Sequence, residues 1–321
     1  MGTDWISPLG NETARVMQLL RRATFGAGQA DLEKALSDGF QKTLARLVET
    51  PAAKPPALPG ADEASRATPI KVAALQKWWV DHMLNSSTPF AERMTLFWHG
   101  HFTSDYRKVG LQSPFIYWQN QTWRDNALGD FRNFLYQATI DPGMLRYLDL
   151  GKSTGQAPNE NYARELMELF TMGAGTFTED DVRVAAKALA GWREPRTTGM
   201  VMDAATNPKA TAAQKAAAAK LPSDNTKVGI FAANRAYKGD PLTFLGKTGS
   251  FATSAVLAQL PAPRSTAPYI VRRVLVHSVR PTPSTSTCPP LPPGWCNARW
   301  LLRHPHRAVL LPARAPHLDP R

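Results

Sequence analysis

The chain has 321 residues, of which 43% are hydrophobic and 20% are charged, the composition of a globular protein that can bury a sizeable core. No run approaches the roughly 18 consecutive apolar residues that a membrane-spanning helix needs, which excludes a transmembrane segment. The formal net charge is +12, but the basic residues form no dense block, and this spread argues against a nucleic-acid partner.

The N-terminus lacks the marks of a secretory signal peptide, namely a basic start, an apolar stretch and a small-residue cleavage site. The sequence as written therefore predicts a cytoplasmic protein, or an exported one if the true start lies elsewhere. Both cysteines, Cys288 and Cys296, lie in residues 281–321. Their position excludes a disulfide framework or a cysteine-based zinc site in the main body.

Apolar residues recur at helical spacing along most of the chain, and Pro, Gly and Asn separate the periodic stretches. The predicted helices cover 13–25, 31–48 with a break near Gly39, 70–84, 89–102, 114–123, 130–139, a short stretch after Asp141, 251–260 and 269–279. Residues 51–69 are a Pro/Ala-rich linker. This pattern predicts an all-α, multi-helix single domain over residues 1–280.

Three stretches depart from the helical pattern. Residues 197–226 are rich in Ala, Lys and Thr and predict a low-complexity insertion. Residues 229–245 are the one region with strand character, and a small β-hairpin is expected there. Residues 281–321 hold ten Pro and keep no helical or strand period. They are expected to be a disordered tail, or a frameshifted end that replaces the true C-terminus.

The centre of the chain, residues 158–192, predicts two helices joined by a glycine-containing turn. In the first helix the apolar set that should face the core is Tyr162, Leu166, Leu169 and Phe170. The polar set that shares one stripe is Asn161, Arg164, Glu165 and Glu168, with Glu160 beside it. Thr178 and Asp181 have the spacing of a capping box that starts the second helix.

The polar stripe is the first candidate site, with Glu160, Arg164 and Glu165 as candidate catalytic residues. If the stripe lines a buried site, Glu160 or Glu165 would act as a general base or a metal ligand. The alternative is a solvent-exposed face with weak salt bridges, each worth about 0.3–0.5 kcal/mol. Glu160 and Arg164 have the i,i+4 spacing of such a pair.

The segment WHGHF contains the candidate ligands for a divalent metal, His99 and His101. In an extended chain residues i and i+2 point the same way, so both imidazoles could bind one ion. On a helix they diverge by about 200° and cannot share it. The outcome depends on whether Gly100 ends the preceding helix. The alternative for a histidine here is a hydrogen-bonded core residue.

Three arginines raise a similar choice. Arg21 and Arg22 close the first helix, either as a functional basic pair or as side chains that extend along the surface at a helix end. Arg93 is expected to pair with a carboxylate of the central helix.

Five segments, in this order, resemble the motifs of one family: LLRRATFG, ERMTLFWHGHF, NENYARELMELFTMG, TEDDVRVAAKALAGW and TFLGKTG. Together they make the chain similar to the domain-of-unknown-function 1800 (DUF1800) family of bacterial proteins. The resemblance implies a mostly helical protein, and members of the family are often exported. It keeps the stripe residues and both histidines as candidates, but it implies no particular reaction.

Two functions fit these observations. The first is a metal-dependent or hydrolase-like enzyme that uses Glu160, Glu165, His99 and His101 around the central helix. The second is a non-enzymatic helical scaffold or binding protein, in which the polar stripe is structural. In that case the aromatic residues expected to be exposed and to contact a partner are Trp78, Trp79 and Trp118.

Overall fold

The computed structural model describes residues 11–59, 70–110, 114–196, 208–220, 224, 226–261 and 265–278. The predicted tail, 281–321, lies outside the described residues. So do residues 197–207, 221–223 and 225 of the predicted insertion, and residues 60–69 of the predicted linker.

Thirteen α-helices dominate the described residues, which confirms the predicted helical fold. They are α1 (Glu12–Ala23), α2 (Gln29–Glu49), α3 (Val72–Asn85), α4 (Pro89–His101), α5 (Tyr106–Val109), α6 (Phe115–Asn126), α7 (Phe131–Thr139), α8 (Pro142–Tyr147), α9 (Glu160–Glu168), α10 (Glu179–Leu189), α11 (Ala212–Ala219), α12 (Thr253–Gln259) and α13 (Thr266–Ser278). A short 3-10 turn covers Leu150–Lys152 between α8 and α9.

Several helices begin where the sequence supplies a cap. Pro89 opens α4, and Asp141 caps α8 by accepting a hydrogen bond from the backbone N–H of Met144 at 2.9 Å. The predicted capping box of α10 is present, with Thr178 Oγ1 accepting from the backbone N–H of Asp181 at 3.1 Å. Asp141 and Thr178 satisfy N–H groups that have no partner within their own helix, whereas Pro89 suits the first turn because it has no N–H to satisfy.

The first two helices pack against each other, and α2 bends on the way. Gly39 has a φ of 75°, a left-handed conformation that glycine adopts without steric cost. The break frees the backbone N–H of Phe40, which donates to Glu12 Oε1 at 2.6 Å. The break expected near Gly39 is therefore confirmed, and it attaches the middle of α2 to the start of α1.

Two small antiparallel sheets accompany the helices. β1 (Trp192–Arg193) pairs with β2 (Ile230–Phe231), and β3 (Leu242–Phe244) pairs with β4 (Lys247–Gly249). The hairpin thus occupies residues 242–249, at the end of the predicted stretch and beyond it. Its two-residue loop, Leu245-Gly246, has φ values of 46° and 77°, and a type I′ turn needs positive φ at both positions.

One main hydrophobic core joins α4, α7, α9, α10 and α13. Its largest fully buried side chains include Trp98, Phe102, Trp123, Phe134 and Tyr162. Trp98 and Trp123 both meet the Phe134 ring edge to face, at centroid distances of 5.0 and 5.3 Å. A smaller core lies between α3 and α6. In the described part of the chain, no helix combines the length and apolar character needed to cross a bilayer.

Candidate functional site

The polar stripe on α9 lies at the surface, and part of it is tied to α10. The guanidinium of Arg164 donates two hydrogen bonds of 2.7 Å to the carboxylate of Glu179, in the first turn of α10. Glu160 lies further from Arg164, at 3.9 Å. Asn161 donates its side-chain amide to the carbonyl oxygen of Leu148 at 3.4 Å. Arg164 and Asn161 therefore hold α9 in place, although exposed ion pairs contribute at most about 1 kcal/mol each.

The opposite face of α9 is buried largely as predicted. Tyr162, Leu166 and Phe170 lie in the main core, whereas Leu169 is 47% exposed. α9 ends at Glu168, and Leu169 occupies the C-cap, where the chain leaves the helix. The expectation that Leu169 faces the core is wrong: the N–H groups of Leu169 and Phe170 both donate to the carbonyl oxygen of Glu165, so the regular helical spacing is lost at this point.

Glu165 is the stripe residue whose protonation is perturbed. It is partly buried, and its carboxylate has no hydrogen-bond partner among the described residues. Burial, reinforced by the carboxylate of Glu168, raises the pKa of Glu165 above its ordinary value, and Arg164 opposes this. A raised pKa brings a carboxyl closer to the range in which it can both take up and release a proton near neutral pH.

The two candidate metal ligands face different parts of the fold. α4 continues through Gly100 to His101, so the two histidines stand on a helix and diverge. His99 stacks on Trp79 of α3, with ring centroids 5.0 Å apart. His101 is buried among aromatic rings, and its Nε2 lies 3.0 Å from the carbonyl oxygen of Phe170.

Burial lowers the pKa of His101 to about 3, so its imidazole is neutral at physiological pH. Nε2 then carries the proton and donates to Phe170, and Nδ1 is left without a partner in the described part of the chain. Within the described ranges, no group of three His, Cys, Asp or Glu side chains lies close enough to hold a metal ion. The structure does not bring His99 and His101 together on one site.

Sequence reasoning missed a buried charge cluster centred on Glu92. This carboxylate is fully buried and accepts hydrogen bonds from Arg124 Nε at 2.5 Å, Arg124 Nη2 at 3.0 Å and Trp79 Nε1 at 3.2 Å. His82 Nε2 lies 3.3 Å from the same carboxylate and 3.2 Å from the carbonyl oxygen of Ala53. These bonds join α3, α4 and α6. Because both carboxylate oxygens of Glu92 already accept hydrogen bonds, the cluster offers no free base.

One signal for this cluster was present in the sequence. Glu92 stands in a helix with large apolar residues on either side, and a charged residue in such a position is rarely buried without a partner. The partner itself, Arg124, lies 32 residues away in the chain. No local pattern connects the two.

Two further expectations are wrong. Arg93 does not pair with a carboxylate of α9: its Nη1 donates to the carbonyl oxygen of Thr24 at 3.0 Å, and no ion pair forms in the described structure. Trp78 and Trp118 are 8% and 1% exposed, so they belong to the smaller core. Trp79 is partly buried and donates to Glu92, so these three rings do not form an exposed aromatic surface.

A cavity of about 180 Å³ lies between the α1–α2 connection and the α3–α4 connection. Its apolar lining includes Leu20, Leu47, Met83 and Leu84, and its polar lining includes Asp31 and Arg46. Leu20, Thr24, Phe25 and Gly26 of the LLRRATFG segment form one side, and Pro89, at the start of α4, lies on another. None of the five residues predicted for a site lines this cavity.

These observations define a mostly α-helical protein with two very small sheets, a cavity beside its first helix and a surface polar stripe. A family model described as "Protein of unknown function (DUF1800)" matches residues 18–313. The chain belongs to the DUF1800 family. The matched range extends into residues 281–321, where a tail was expected. The search of curated proteins and the search of solved structures each found no match.

Proposed function

We propose that this protein is a non-enzymatic helical binding protein that holds a small apolar group in the cavity beside α1. The observation that carries the proposal is the cavity itself, about 180 Å³ in volume and walled on one side by a segment that resembles a family motif. A cavity of roughly 150 Å³ is large enough for benzene. The cavity thus accepts a leucine or phenylalanine side chain, and it lies below the roughly 300 Å³ at which pockets for drug-sized ligands begin.

Two polar side chains on the cavity wall, Thr24 and Asp31, already have hydrogen-bond partners in the protein, so an apolar occupant does not have to supply them. Thr24 Oγ1 donates to the carbonyl oxygen of Leu20 at 2.8 Å and accepts from the N–H of Gly26 at 3.2 Å. Asp31 Oδ2 accepts from the N–H of Gly28 at 3.0 Å. An apolar ligand therefore leaves these groups hydrogen-bonded, so their desolvation does not oppose binding.

An exposed apolar side chain at the rim extends the surface available to a partner. Leu84 lines the cavity and is 68% exposed. An exposed apolar residue next to a concavity is typical of an interaction site. A peptide side chain inserted in the cavity would cover Leu84, whereas Val80, one helical turn earlier on α3, lies outside the lining.

The test uses two side-chain mimics, N-acetyl-leucinamide and N-acetyl-phenylalaninamide, titrated into the full-length protein by NMR, with N-acetyl-glycinamide as the ligand control. We expect saturable binding of the first two only. Leu84→Glu places a charge at the cavity and should weaken binding about tenfold or more, a loss of about 1.4 kcal/mol. Val80→Glu is the matched control, because Val80 is exposed on the same helix and does not line the cavity.

Equal binding of all three mimics, or an equal loss in the two variants, would show that the cavity is not the site. Both substituted positions are exposed, so neither change is expected to unfold the protein.

A second candidate, a hydrolase-like or metal-dependent enzyme on the α9 helix, is favoured by one observation. The raised pKa of Glu165 suits a general acid or base, with Glu160 and Arg164 beside it on the helix. His99 or His101 would serve as a ligand to a divalent metal only together with residues outside the described ranges. Elemental analysis of the full-length protein tests the metal: a stoichiometric divalent ion lost in His101→Ala supports the enzyme, and its absence removes the metal-dependent form.

A further inference from the structure

Arg93 carries a positive charge that no carboxylate neutralises in the described structure. Its Nη1 donates to the carbonyl oxygen of Thr24, and its guanidinium carbon lies 5.8 Å from the centre of the Phe25 ring. Its Nε is buried and has no partner in the described structure. Burial lowers the pKa of Arg93, and no acidic group of the described residues offsets this effect. A half-buried cation without a counter-ion is costly, because charges are rarely taken out of water unless they are paired.

α13 brings a second basic group to the same place. The His277 ring lies 5.4 Å from the ring of Phe97, which stands one helical turn after Arg93 on α4. Partial desolvation of the imidazole and, after it, the charge of Arg93 lower the pKa of His277. Arg273, one turn before His277, is exposed and makes no ion pair among the described residues. Two helices that are far apart in sequence thus bring a guanidinium and an imidazole to the same part of the fold. The lowered pKa keeps the imidazole of His277 neutral at physiological pH, and a neutral imidazole can donate one ring N–H.

We propose that Arg93 and His277 form a binding site for a small oxyanion of the phosphate class. A guanidinium presents planar N–H groups that match the oxygens of phosphate. The bond to Thr24 uses Nη1, and Nη2 of Arg93 has no hydrogen-bond partner among the described residues. An anion at this place supplies the counter-ion that Arg93 lacks, and the neutral imidazole of His277 can donate one N–H to it. Arg273 adds attraction at longer range.

This site is separate from the cavity of the proposed function, since neither Arg93 nor His277 lines that cavity. Loss of apolar-ligand binding at the cavity therefore does not imply loss of oxyanion binding at Arg93, and the reverse also holds. The two sites are neighbours, because Thr24 accepts a hydrogen bond from Arg93 and also lines the cavity.

The test is isothermal titration of the full-length protein with inorganic phosphate, at an ionic strength held constant with sodium chloride. We expect saturable binding by the wild type, and about tenfold weaker binding in Arg93→Gln and in His277→Gln. Arg272→Gln is the matched control: it removes one positive charge from the exposed face of α13 and should change the affinity less than about twofold. The His277 ring resonances should shift with the same saturation curve, which places the anion at this site.

Three results would overturn the proposal. The first is no saturable phosphate binding at constant ionic strength, and the second is a loss of affinity in Arg272→Gln equal to that in Arg93→Gln. The third is an affinity for acetate equal to that for phosphate, which would remove the preference for phosphate-class anions. His277 is exposed, so the His277→Gln variant keeps the test decisive if Arg93→Gln does not fold.

Discussion

The buried ion pair between Glu92 and Arg124 gives the sharpest test of the fold. Arg124→Met removes the guanidinium but keeps an unbranched side chain of similar length. Glu92, which has no exposed surface, would lose the two hydrogen bonds from Arg124 at 2.5 and 3.0 Å. It would keep only the hydrogen bond from Trp79 and the contact with His82. The carboxylate would then be buried without its main counter-ion.

The expected cost can be worked out from these contacts. A hydrogen bond to a charged group contributes about 1.5–3 kcal/mol, so two such bonds amount to about 3–6 kcal/mol. Breaking a buried ion pair by removing one partner typically costs about 3–5 kcal/mol, which agrees. We therefore expect Arg124→Met to lower the free energy of unfolding by about 4 kcal/mol. The double variant Glu92→Leu/Arg124→Met should recover most of this loss, because no uncompensated charge remains.

Urea denaturation followed by circular dichroism measures the free energy of unfolding of the wild type, both single variants and the double variant. Arg164→Met provides the matched control, because Arg164 makes an equally bidentate ion pair with Glu179 but at the surface, and it should cost less than about 1 kcal/mol. If Arg124→Met costs no more than Arg164→Met, burial does not control the strength of this pair. If the double variant is as unstable as Arg124→Met, the loss reflects packing rather than an unpaired charge.

Two other perturbations test single groups. Burial raises the pKa of Asp141 to about 7 from 3.8, so the native state binds the extra proton between these values. The unfolding free energy should fall as pH rises from about 4 to about 7, by at most about 4 kcal/mol at 1.36 kcal/mol per pKa unit. Asp141→Asn should flatten this dependence in urea unfolding at several pH values, and an unchanged slope would assign it to other groups. Thr178→Ala removes the cap of α10 and should lower the melting temperature through a loss of about 1 kcal/mol; an unchanged melting temperature would mean that the cap contributes nothing.

The helical fold could be predicted from the sequence because its determinants are local. Apolar spacing sets which helix faces are buried. Asp141 and Thr178 mark helix starts through hydrogen bonds to backbone N–H groups three residues away, and Pro89 marks one through its fixed φ. The break at Gly39 is local for the same reason, since φ belongs to a single residue. The hairpin was placed less well, because its turn depends on a positive φ at Leu245 as well as Gly246, and leucine does not signal this.

The candidate site could be predicted only in part. The sequence showed that Glu160, Arg164 and Glu165 share one stripe, because helical spacing determines that relation. It could not show that Arg164 is held by Glu179, which belongs to the next helix. It also left open whether His99 and His101 converge, and only the continuation of α4 through Gly100 decided this.

What the sequence determined by itself was the helical class of the protein, the main helix boundaries and the family to which it belongs. The tertiary structure alone decided which charges meet. Glu92 and Arg124 lie 32 residues apart, and Arg93 and Thr24 lie 69 apart. Hydrogen bonds and ion pairs act over a few ångströms in space, so the spacing of residues along the sequence does not indicate which distant groups form them. The cavity beside α1 could not be predicted from the sequence for the same reason, because its walls come from two separate helix connections.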